Sequence, residues 1–222
     1  MSIRTSITRY LEPGEALGEA LFGLIMALTF AVGARLVAIQ GAFATRALIF
    51  TAIGCNVAWG VIDATLFSFG GLFQRSRRAR FFRALKNAGT QEAALAAVQE
   101  EFGLEDEPLT VIREDRARLH ASILALSRHS TPARVHVRRQ DLVGALLVFG
   151  LVSFTGLPGV VPLLLLDDSW LALRLTDAVL ISLLFLVGYW WGRHTDVRPW
   201  LVGLTVVLLG VSMVFVAVAL GG

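Results

Sequence analysis

The first residue in this sequence equipped for chemistry is an aspartate inside an apolar run. Asp63 lies in the stretch Ala47 to Phe73, ten residues before its end, which is about 15 Å of helix. An ionisable side chain at membrane depth costs about 2.5–3.5 kcal/mol on insertion scales and marks a functional position by default. Asn56 stands seven residues earlier on the same helical face, and Gly60 between them lets a neighbouring helix approach. Glu15 and Glu19, four residues apart at the mouth of the preceding apolar run, share a face in the same way. Three carboxylates and an amide oxygen are hard donors, and the mixture suits manganese or ferrous iron. Because a carboxylate binds either a metal or a proton, the same residues would carry any proton coupling. The plainer readings are that Asn56 and Asp63 bond neighbouring helices and that Glu15 and Glu19 favour a helix N-terminus.

A second acidic group, Glu100, Glu101, Glu105, Asp106 and Glu107, surrounds Gly103, with Glu114 and Asp115 shortly after. It can hold a cation loosely, or form a solvated face paired with the nearby arginines. His120, His129 and His136 are nine and seven apart and give no ligand spacing on a helix. Arg174 and Asp177 are spaced for a local ion pair. The single cysteine, Cys55, allows neither an intrachain disulfide nor a thiolate zinc site. No nucleophile and base stand together near a membrane interface, so the expectation is a non-enzyme with no permanently bound cofactor.

These residues need elements to position them, and the composition says which. Of 222 residues 55% are hydrophobic and 17% charged, against about 25% charged in soluble domains. Five membrane helices are expected: Ala20 to Ala34 with Leu17 and Arg35 at its ends, Ala47 to Phe73, Leu142 to Leu166, Leu175 to Trp191, and Trp200 to Leu220. Residues 1–14 form an N-terminal interfacial segment, with Ile3, Ile7, Tyr10 and Leu11 on one stripe and Pro13 and Gly14 breaking it. Glu12, Glu15 and Glu19, not a basic cluster, precede the first run, which is therefore expected to be a retained span and not a cleaved signal. Residues 15–73 hold the first two spans and 141–222 the last three, the third broken by Gly156, Pro158, Gly159 and Pro162.

Between them, residues 74–140 carry thirteen of the 20 basic residues. The positive-inside rule places this insert and the N-terminus in the cytoplasm and the Asp167–Asp168 loop outside, with Arg35 and Arg46 as exceptions. Anionic lipid headgroups explain the insert's charge more directly than nucleic acid, which is not expected as a partner. Three helices are expected in the insert: one continuing span two to Gly89, one capped by Thr90 and running to Gly103, and one following Pro108 with Val111, Leu119, Ile123 and Leu126 on its stripe.

The order of these pieces, with GEALFGLIMALTF, AIGCNVAWGVIDATLF, FTGLPGVVPLLL and LLFLVGYWWGRHTDVRPWLVGL, resembles a bacterial branch of the vacuolar iron transporter family along nearly the whole chain. The resemblance implies a homodimer in a bacterial inner membrane that exchanges protons for divalent iron or manganese. It further implies carboxylates of the first two spans at the dimer axis and an acidic cytoplasmic metal-binding module. Phe22 and Gly23 stand where the family has Asp-Gly, leaving Glu19 one turn away, and span two lacks the methionine expected beside its acid. The insert has Glu100 and Glu101 without the repeated paired-glutamate pattern.

The expectation is thus an all-α polytopic membrane protein with five transmembrane helices and a cytoplasmic three-helix insert between spans two and three. Asp63 and Glu19 would be its ion and proton carboxylates, Asn56 a neutral ligand, Glu15 a residue at the mouth, and the Gly156 to Pro162 break a wall of the pathway. Its partners would be the transported metal, protons, membrane lipid and a second copy. The alternative is a transport-inactive membrane protein whose basic insert binds lipid or a protein partner.

Overall fold

The computed structural model describes residues 10–38, 45–102, 113–129 and 134–219. Among them lie helices α1 (Pro13–Ala38), α2 (Thr45–Lys86), α3 (Gln91–Glu101), α4 (Arg113–His129), α5 (Arg139–Thr155), α6 (Leu157–Leu165), α7 (Ser169–Gly192) and α8 (Pro199–Ala219). No described residue is in a strand. Five stretches are long and apolar enough to cross a membrane: Pro13–Gly33, Ile49–Lys86, Arg139–Leu165, Ser169–Gly192 and Pro199–Val216. The third comprises α5 and α6 in series. In hydrocarbon every backbone polar group needs an internal partner, and long uncharged runs meet that demand by closing their own hydrogen bonds as helices.

Pro13 and Gly14 open α1, so the helix of the first span begins where the sequence places a break. Proline lacks the N–H that a first-turn residue leaves unused, and the Glu12 N–H donates to Glu15 Oε2 at 3.3 Å. Of the interfacial segment proposed for residues 1–14, residues 1–9 lie outside the described residues. Asp168 caps α7, its Oδ1 accepting from the N–H groups of Trp170 (2.9 Å) and Leu171 (3.3 Å). Arg174 stacks over the Trp170 ring at 4.5 Å.

The chain divides into two compact units, Met1–Ser68 with Arg138–Gly222, and Phe69–Val137. In the first, α1 packs on α7 and α8 through Leu24, Leu28, Leu180, Leu184 and Val214. Helix α1 meets α5 at Gly23, where an added Cβ would stand 2.6 Å from the Val152 carbonyl oxygen and against the Thr155 hydroxyl. Such close approach is how helices gain packing where lipid removes the hydrophobic drive. The α2 span is the most exposed, with 11% of its apolar stretch buried against 39% in the third span.

The third span breaks at Gly156, and both prolines sit within α6. Pro158 offers no N–H to the Phe154 carbonyl, so the break frees backbone acceptors in the membrane. Side chains of neighbouring helices bond carbonyls on either side of it: Asn56 Nδ2 reaches the Val152 carbonyl at 3.4 Å, and Thr176 Oγ1 the Gly159 carbonyl at 2.7 Å. Only glycine fits at 156, since a Cβ there would lie 2.5 Å from Asn56 Nδ2 and 2.9 Å from Ala27 Cβ.

The second unit has a small core of Leu85, Ala94, Val98 and Leu124 flanked by Phe81 and Phe82. The Thr90 cap forms as expected, accepting from the Ala93 N–H at 3.2 Å. Helix α2 ends at Lys86, three residues before Gly89. The expected stripe on α4 is corrected: Leu119 and Leu126 are exposed, whereas His120, Leu124 and Ser127 are buried. The two polar residues are tolerated inside because a His120 ring nitrogen bonds the Phe102 carbonyl at 3.0 Å and Ser127 Oγ donates to the Leu124 carbonyl at 2.7 Å. Pro108 and Val111 lie outside the described residues.

Two glycines give a contrasting test of this packing. Gly23→Ala should lower the thermal unfolding temperature in detergent, by an overpacking cost of about 1–3 kcal/mol. Gly70→Ala meets nothing within 4 Å and should leave that temperature unchanged or raise it, since alanine favours a helix by about 1 kcal/mol.

Candidate metal-transport site

Helices α1 and α2 run antiparallel in a register that three contacts define. Deepest, Asn56 Nδ2 donates to the Gly23 carbonyl at 3.3 Å. Next, the Phe22 and Trp59 rings meet edge to face at 5.5 Å. One turn further along, Glu19 comes within electrostatic reach of Asp63 and of Glu15. Glu19 and Asp63 are half-buried and Glu15 is exposed. Asp63 Oδ2 is buried with no hydrogen-bond partner, a costly arrangement for a carboxylate oxygen.

Of the expected residues, Glu19 thus lies within electrostatic reach of both Glu15 and Asp63. No three His, Cys, Asp or Glu side chains among the described residues converge closely enough to form a metal site within one chain. Asn56 is elsewhere, two turns or about 10 Å along α2 from Asp63. It is 4% exposed, and its amide nitrogen is turned to the Gly23 and Val152 carbonyls. Its position is that of a clasp joining α1, α2 and α5.

Behind Asn56 is a small cavity bordered by Phe30, Ser153, Gly156 and Thr176. Ser153 is 2% exposed and its hydroxyl has no partner. Neither Ser153 nor Thr176 stood out in the sequence, although a hydroxyl within an apolar run beside a Gly/Pro break was the available signal. In the other unit, Glu101 is engaged by Arg77, Asp115 lies 3.5 Å from Arg118, and Glu100 is exposed. Glu105 lies outside the described residues.

Residues 73–222 match the model of the VIT family, the vacuolar iron transporters. The chain belongs to that family. No curated protein matches it. VIT family members are transporters and not enzymes, and with five apolar helices the chain is an integral membrane protein. The matched segment begins at Phe73. The family thus places the second unit and the last three spans, while the case for Glu15, Glu19 and Asp63 rests on the geometry of α1 and α2.

Asn56→Asp separates a clasp from a ligand. A carboxylate aimed at two carbonyls loses both hydrogen bonds and is repelled, so thermal stability should fall by at least the roughly 1–3 kcal/mol of an unsatisfied buried group. A ligand role predicts the reverse outcome, intact stability with tighter manganese binding.

Proposed function

We propose that this VIT family chain carries ferrous iron or manganese across the membrane in exchange for protons. The observation that supports it most is the Asp63 oxygen that is buried and unpartnered inside a span, with Glu19 of the neighbouring span within electrostatic reach of it and of Glu15. An unpaired carboxylate oxygen inside a span is explained by a cation or a proton that it takes up in turn. Glu15, exposed at the start of α1, feeds the site, while Glu19 and Asp63 exchange metal for protons. Asn56 holds the helices that carry them, and the break at Gly156 forms a wall of the pathway.

The single chain brings three carboxylates near one another without closing a coordination sphere, and a second copy across the exposed face of α2 would complete it. Along α2, Phe50, Val61, Ile62, Leu66 and Phe69 are each at least 44% exposed. A homodimer in a bacterial inner membrane, with the N-terminus and the basic unit in the cytoplasm, fits the distribution of charge.

Proteoliposomes with an imposed pH gradient test this reading. Uptake of ferrous iron and manganese should depend on the gradient and fall by at least tenfold in Asp63→Asn and in Glu19→Gln, with unfolding temperatures kept. Undiminished uptake in either variant removes that carboxylate from the pathway, and no uptake by the folded parent chain rejects the function.

A further inference from the structure

We propose that the part of α2 just beyond its apolar run is a binding surface for anionic phospholipid headgroups. This inference is independent of the transport reading. From Gln74 to Lys86 the helix carries six basic residues and no acid. Their surroundings sort them. Arg77 is engaged by Glu101, and Phe81 and Leu85 turn inward to the small core. Arg78, Arg80, Arg83 and Lys86 are exposed. Arg80 and Arg83, three residues apart, share one face. Arg83 Nε donates to the Ala79 carbonyl at 3.2 Å, which steadies the side chain and leaves its terminal nitrogens to meet a ligand.

Height along the helix selects the partner. Phe69 and Phe73 are 63% and 61% exposed and mark the last apolar turns. Arg78 and Arg80 follow Phe73 by about 8 and 10 Å of helix rise, the level of a headgroup layer about 5–8 Å thick, to which long side chains bend back. Lys86 is about 20 Å beyond Phe73, which leaves it about 12–15 Å outside that layer, well over one Debye length of about 8 Å. A guanidinium recognises the phosphate of a lipid and a free phosphate by the same bidentate bonds. The lipid is the source chosen here because α2's own span holds these arginines at headgroup height.

Native mass spectrometry of the full chain in neutral detergent can measure retention of phosphatidylglycerol and of phosphatidylcholine. Each arginine near an anionic surface contributes about a fivefold factor, so R78A/R80A/R83A should weaken phosphatidylglycerol binding on the order of a hundredfold and leave phosphatidylcholine unchanged. K86A should change it less than about twofold, and R78K/R80K/R83K should retain most of it. Unchanged phosphatidylglycerol binding in the alanine variant overturns the proposal. So does displacement of the lipid by millimolar inorganic phosphate, which would make the surface a soluble-anion site.

Discussion

Inside a bilayer no water satisfies a freed carbonyl, and the membrane unit is organised around that constraint. The third span breaks at Gly156, two residues before Pro158, which withholds an N–H from the Phe154 carbonyl. Beside the break the Asn56 amide, from α2, bonds the Val152 carbonyl, and Thr176, from α7, bonds the Gly159 carbonyl. Asn56 also bonds the Gly23 carbonyl, so one side chain ties the first three spans at the level of the break. Small residues at positions 23, 60 and 156 follow from this, since any Cβ there would enter a neighbouring helix.

That clasp sets the register from which the candidate site derives. With Asn56 opposite Gly23, Trp59 falls against Phe22 and Asp63 beside Glu19. A shift of one residue on either helix would turn a carboxylate about 100° away from its neighbour. The aromatic pair separates the uncharged clasp from the carboxylates, so the polar interior has a structural level and an ionisable level. The remainder of the α2 span, apolar and exposed, is what a membrane helix presents to lipid or to another copy of itself.

The spans were legible in the sequence because length and missing charge are enough to identify them, and the Thr90 cap because its hydroxyl has one obvious N–H to serve. The buried stripe of α4 was misplaced because His120 and Ser127 read as surface residues until their carbonyl partners are seen. The grouping of Glu15, Glu19 and Asp63 followed from helical spacing and adjacent spans. The role of Asn56 could not follow, because a ligand and a clasp both require a place on the inner face. The direction of its amide nitrogen, toward two carbonyls, is the feature that favours the clasp.

The most direct measurement counts protons released when manganese is titrated into the solubilised, weakly buffered full-length chain. The account predicts that binding is accompanied by proton release, and that both are lost in Glu19→Gln/Asp63→Asn, because metal and proton compete for the same oxygens. Manganese binding with the same proton release in that double variant would contradict it and place the metal on residues outside the first two spans.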